Sequence, residues 1–219
     1  EVDDGPYKIL KKNININKLK SIKLNKYALH NKDNISLYAN VNESSLTSLQ
    51  SKKTKTNIKY KTTTIDRYCL LQNINMVSVI HLDIEGNELN ALKGARNLLK
   101  QDKFNSPDII FEYCNYFNLQ TKKSFTFSIN KSKIILFLKK YGYSFYAIRD
   151  FSSNIGKTLK NVEIIPINQV FHKNLPYCFN IYCTKNEDNI LTYNLKVCRK
   201  VNPKLLYHEN RKKHWPIHV

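Results

Sequence analysis

From Val77 to Leu82 the chain is apolar and β-branched, interrupted only by Ser78 and His81, and the run ends on Asp83, Glu85, Gly86 and Glu88. Continuous runs of this kind belong to strands buried on both faces of a helix-covered sheet, so residues 77–83 are predicted as such a strand. Leu89, Leu92, Ala95 and Leu99 then recur at helical spacing and predict one helix over 87–100 that faces the sheet. After the turn at Ser106 and Pro107, Asp108 to Glu112 reads as a second buried strand. Strand, helix, strand is the βα order of a parallel sheet. The carboxyl ends of such strands are where α/β proteins bind ligands, which makes Asp83 and Glu85 candidate functional residues.

Weaker patterns flank this unit. Pro6 suits the first turn of a helix running to about residue 13. Residues 21–29 read as a strand, Asn31 to Asn34 as a turn, and Ile35, Leu37, Ala39 and Val41 as the alternating positions of a second strand, which together predict a hairpin. Residues 42–57 read as a loop and Tyr60 to Thr63 as a short strand. Thr64 opens a helix with Ile65, Tyr68, Cys69 and Leu71 on one side. Downstream, 113–130 is a long aromatic and polar connection of the sort that carries substrate contacts. A helix over Ile134 to Tyr141 and a strand over 143–148 follow, then an irregular stretch over 150–176, a final strand over 177–183, and a tail without periodicity. The expected fold is α/β, with a mostly parallel sheet and an antiparallel edge. The expected division is a domain over 1–185 and a basic tail over 186–219.

Composition adjusts this picture in three ways. With 219 residues and 42% hydrophobic content, one globular unit is expected. The formal charge of +19 raises nucleic acid or an acidic membrane as partners. However, Lys, Asn, Ile and Tyr are abundant together, as in residues 11–18, which is what A/T-rich coding produces whatever the function. The basic residues are also spread along the chain, denser only at 51–61 and 196–213, so a solvated surface is preferred to a nucleic-acid partner. The five cysteines, at 69, 114, 178, 183 and 198, form no Cys-x-x-Cys pair and no disulfide framework, which predicts a reducing, cytoplasmic setting. Sequons at Asn34, Asn42 and Asn130 are expected by chance in so Asn-rich a chain. No apolar run approaches membrane-spanning length, and none reads as a signal peptide.

The run Ile80 to Ala95, with Asp83-Ile-Glu85-Gly86-Asn-Glu88 and Leu92-Lys-Gly94-Ala95, followed by Pro107 to Glu112, resembles the FkbM-type methyltransferases. The resemblance extends upstream through Ala28 to Tyr38 and the serine-containing Ser44-Ser45-Leu46, covers roughly residues 1–150, and weakens beyond. It implies the class I, Rossmann-like fold and S-adenosylmethionine as cofactor, with O-methylation of a hydroxyl on a sugar, glycan or small metabolite. By this resemblance Glu1, Ala28, Leu29, Asp83, Glu85 and Gly86 line the cofactor, and Glu1 falls where that class carries its ribose-binding acid. The chain has five glycines and no Gly-x-Gly cluster. The only methionine is Met76, and the chain opens on Glu1. It is therefore expected to begin at the end of the second strand of the class, with the first strand and its glycine-rich turn preceding it, and residues 1–219 alone are expected to have weak or no activity.

Methyl transfer to oxygen needs a collinear approach and a base for the hydroxyl proton. Asp83 and Glu112, at the ends of neighbouring strands, are the expected catalytic acids, and Asn115 and Tyr116 the expected substrate contacts. Tyr113 and Phe117 suit a substrate wall or the core. The same acids can instead bind a divalent cation with Asn115 as third oxygen ligand, or simply cap helices and orient loops. Glu88 is read as structural, because an acid in the first helical turn favours the macrodipole and satisfies an open backbone donor. Gly86 permits a tight turn or close ligand approach. His81, where the resembled family usually carries Lys, is read as a core histidine outside the catalytic set. His208, His214 and His218 have no zinc spacing. The competing functional class is a non-catalytic Rossmann-like module binding a partner or nucleic acid through its basic surface.

Overall fold

The computed structural model describes residues 1–40, 49–50, 57–84, 86–114, 132–148, 162–169 and 178–198. The chain divides into two compact units. The first comprises Glu1–Asn75 and Ile84–Asn97, the second Met76–Asp83 and Leu98–Val219.

In the first unit, α1 (Asp4–Ile16) precedes a four-stranded sheet of β1 (Ala28–Leu29), β2 (Ser36–Asn40), β3 (Leu49–Gln50) and β4 (Asn57–Thr63). The strand order is β1-β4-β2-β3. The expected hairpin between 21–29 and 35–41 does not form. β4 lies between those segments, parallel to β1 through Ala28↔Thr62 and antiparallel to β2 through Leu37↔Tyr60. Thr62 explains the difference. Its buried hydroxyl donates to the Lys32 carbonyl at 2.9 Å and accepts from the Ile35 amide at 3.0 Å, so the 31–34 turn closes on β4 rather than folding β2 back onto β1. Asn34 takes the positive φ of 53° that this turn requires. Ala28, Leu37 and Tyr60 form the local core, with Val2 and Ile35 against it.

Thr64 caps α2 (Ile65–Leu71), its hydroxyl accepting from the Arg67 amide at 3.0 Å. The single helix expected over 87–100 is two, α3 (Glu88–Lys93) and α4 (Arg96–Lys100). Asp66 accounts for the break. Its amide donates to the Gly94 carbonyl at 2.9 Å, drawing that carbonyl out of the helical ladder, and its carboxylate accepts from the Asn97 amide at 2.9 Å, capping the new start. Gly94 sits at an ordinary helical φ of −84°, so its absent side chain matters for space: a Cβ there would run into the His30 carbonyl and stand 3.2 Å from the Thr64 Cβ.

His30 yields a pH-dependent expectation. Its Nδ1 accepts from the Lys32 amide at 3.3 Å, and burial, then the Lys32 charge, holds its pKa below the ordinary 6.5. As pH falls, the unfolded chain therefore takes up this proton before the folded one. Stability that is full above the ordinary value is lost as pH drops through it toward the lowered folded value. His30→Asn, which keeps an acceptor, is expected to flatten thermal stability between about pH 7.5 and pH 5 relative to wild type. Parallel curves for the two proteins would reject the assignment.

The second unit holds a six-stranded sheet of β5 (Val79–Leu82), β6 (Asp108–Cys114), β7 (Ser144–Ile148), β8 (Val162–Pro166), β9 (Cys178–Thr184) and β10 (Leu195–Val197), in the order β10-β8-β7-β9-β6-β5. The sheet is mixed and only partly parallel, consistent with a Rossmann-like arrangement. Instead of a mostly parallel sheet, β5–β6 and β10–β8 pair in parallel while β6–β9, β9–β7 and β7–β8 are antiparallel. The reason is β9, which enters between β6 and β7 in the opposite direction. Its Ile181, Tyr182, Cys183 and Thr184 are all buried, as a central strand requires. β5 is not buried on both faces. Ile80 and Leu82 are buried, but His81 is exposed and Val79 is 43% exposed, because among the described residues β5 pairs only with β6 and ends the sheet.

α5 (Lys133–Lys139) buries Ile135 and Leu138. The stretch read as irregular contains β8, and the stretch read as tail contains α6 (Asp188–Thr192) and β10. A buried polar cluster ties α6 down: one Asp108 oxygen accepts from the Tyr182 hydroxyl at 2.7 Å and from the Asn189 amide nitrogen at 3.0 Å. Lys185 donates to the Leu99 and Gln101 carbonyls at 2.6 and 2.7 Å, satisfying acceptors at the end of α4. Among the described residues no helix is long and apolar enough to cross a membrane.

Candidate active site

Asp83 follows directly on β5, and Glu112 lies within its parallel neighbour β6. The parallel ladder pairs Leu82 with Phe111 at the last position of β5, one residue before Asp83 and Glu112 respectively. Asp83 is exposed and Glu112 half-buried. Side chains in register share a face, and Leu82, Phe111 and Ile181 are buried on the other one. Across β6 the antiparallel ladder sets Glu112 opposite Asn180, which is exposed. Glu112 and Asn180 are thus in register on adjacent strands, with Asp83 just beyond the end of β5. Sequence reasoning missed Asn180 because strand order brings it beside residues 68 positions earlier. The only local signal is a polar residue between Phe179 and Ile181 in an otherwise apolar strand.

His81 is two residues before Asp83 on the exposed face of β5, not in the core as expected. Tyr113 is half-buried, and burial pushes its phenol above the ordinary range.

In the first unit, the turn after β5 is built by three neighbours. Gly86 adopts φ 93°, which a side chain would oppose. Glu88, buried at the start of α3, turns one carboxylate oxygen back to accept from the Ile84 and Gly86 amides at 3.2 and 3.1 Å. This agrees with its structural reading, and it means the Gly86 N–H is already engaged. Asn87, also buried, donates to the Leu29 carbonyl at 2.6 Å.

Of the remaining candidates, Ala28 is buried in β1, with Leu29 at the strand's end. Glu1 is exposed, one of its oxygens accepting from the Asp3 amide at 2.8 Å. Glu85, Asn115 and Tyr116 lie outside the described residues, as do Phe117 and the Ser44–Leu46 loop. Among the described residues no group of three His, Cys, Asp or Glu could hold a metal ion.

The second unit's partly parallel mixed sheet is consistent with a Rossmann-like α/β protein, a class that binds ligands beyond the carboxyl ends of its strands. The sequence profile of the Methyltransferase FkbM domain matches residues 3–145, more than half of the chain, and the chain belongs to that family. It is a methyltransferase by membership. No curated protein and no solved structure matches it significantly.

Proposed function

We propose that the chain is an S-adenosylmethionine-dependent O-methyltransferase acting on a hydroxyl of a sugar, glycan or small metabolite. The observation that carries this reading is the match to the FkbM methyltransferase domain over residues 3–145, and the position of Asp83 just after β5 with Glu112 on the parallel neighbour β6 supports it. The chemistry of the second unit's acids supports such a cofactor, because carboxylates suit a sulfonium cation and ribose hydroxyls. When bound, the cofactor supplies an electrophilic methyl group. The work left to the protein is to orient the acceptor oxygen and remove its proton.

Asp83, the more exposed acid, would take the proton of the acceptor hydroxyl. Glu112 and Asn180 hold the acceptor, the carboxylate accepting from a second hydroxyl and the carboxamide able both to donate and to accept. Two adjacent hydroxyls, as on a sugar ring, match these two groups. Ala28, Leu29, Gly86, Glu85 and Glu1 contribute to cofactor binding, and Asn115 and Tyr116 to substrate binding. Titration calorimetry of the full-length polypeptide with S-adenosylhomocysteine tests the reading. Saturable binding supports it, and the absence of heat at high micromolar ligand rejects it.

A further inference from the structure

We infer that Asn87 is a positioning residue for the cofactor, clamping the end of β1 to the Gly86 turn so that the two form one preformed backbone surface. The inference rests on the methyltransferase reading above and adds to it a residue that neither motif nor family assigned. Asn87 occupies the N-cap of α3, where asparagine ordinarily accepts a hydrogen bond from the helix's own amides. Here its side chain makes no capping bond. Instead Nδ2 donates at 2.6 Å to the carbonyl of Leu29, 58 residues away, and Oδ1 accepts at 2.8 Å from Asn90 Nδ2.

Both partners fix the amide's orientation, since the Leu29 carbonyl can only accept and the Asn90 nitrogen can only donate. At 8% exposure the group has little water to replace these bonds. Glu88 reaches the other way, to the Ile84 and Gly86 amides, so adjacent side chains hold the turn from both ends. The Leu29 carbonyl and the Gly86 backbone are thereby fixed before any ligand arrives, which lowers the ordering cost of binding.

The test compares wild type, Asn87→Asp, Asn90→Ala and Asp108→Asn in the full-length protein. S-adenosylhomocysteine affinity is read by calorimetry, and cofactor KM, acceptor KM and kcat by methyl transfer. Asn87→Asp keeps the Asn90 contact but sets an oxygen against the Leu29 carbonyl. It is expected to raise the cofactor Kd and KM by about tenfold or more while leaving acceptor KM and saturated kcat near wild type. Asn90→Ala, which removes only the orienting donor, is expected to shift the same values in the same direction by less, and it decides the question if Asn87→Asp does not fold. Asp108→Asn disturbs the second unit's polar cluster, and is expected to lower thermal stability with cofactor affinity unchanged. Wild-type affinity in the Asn87 and Asn90 variants, or equal losses of affinity in Asp108→Asn, overturns the inference alone. No binding by wild type overturns the methyltransferase reading and the inference with it.

Discussion

Gly94→Ala is expected to destabilise the protein by about 3 kcal/mol, an overpacking cost at the upper end of the usual range. The added methyl meets the His30 carbonyl directly and comes within 3.1 Å of the Ala91 carbonyl and 3.2 Å of the Thr64 Cβ. None of these is the free end of a long side chain. The His30 carbonyl belongs to a backbone whose amide donates to Thr63 at 3.0 Å, and Thr64 is the cap of α2. Relief would have to come from moving the α3–α4 junction, which the Asp66 bonds to Gly94 and Asn97 resist. At φ −84° alanine suffers no backbone strain, so the whole loss reports crowding. For a chain of this size a melting temperature lower by about 6–12 °C is the corresponding reading. A shift below about 2 °C would mean that the junction yields freely and is not close-packed.

Asp83→Asn is expected to lower kcat by about 10²- to 10⁴-fold, the usual contribution of a positioned base. Because Asp83 is exposed, just past β5, the substitution removes charge without burying an unpaired group. Folding should therefore change little. Glu112→Gln is expected to act differently, raising acceptor KM more than it lowers kcat, because a carboxamide still occupies the hydroxyl-binding position. The two variants separate the roles of proton acceptor and acceptor clamp. Asp83→Asn with near wild-type kcat would remove Asp83 from the chemistry. Equal kcat losses in both variants would instead indicate a carboxylate pair acting as one unit.

What was legible in the sequence tracks the range of the forces involved. The β5, β6, α2 and β9 segments were found because apolar period, the Thr64 cap and the Pro107 turn are local signals. The direction and neighbours of β9 were not, since Ile181 and Cys183 read the same in a parallel and an antiparallel ladder. The β1–β2 hairpin failed for a related reason. The turn residues Asn31 to Asn34 were recognised correctly, but Thr62, which captures that turn, lies 27 residues beyond Ile35. β8 and β10 are three to five residues long, too short for alternation to stand out.

The candidate site divides along the same line. Asp83 and Glu112 are picked out by strand-end position alone: Asp83 directly follows β5, and Glu112 lies on its neighbour β6. Glu88 was read as structural from helix position alone, and its bonds agree. Asn180 and Asn87 were passed over because each owes its place to a pairing with a distant strand, which no window of sequence contains.

The first unit is discontinuous, and that shapes how the protein comes into being. During synthesis residues 1–75 emerge first, yet the bonds that close their fold, from Asp66 to Gly94 and from Asn87 to Leu29, await a segment made later. The β5 strand is made in between and belongs to the other unit. The first unit can therefore close only once residue 97 has been made, after β5 and before the 98–219 remainder of the second unit, so a folding intermediate of the nascent chain has to keep residues 1–75 open across that interval.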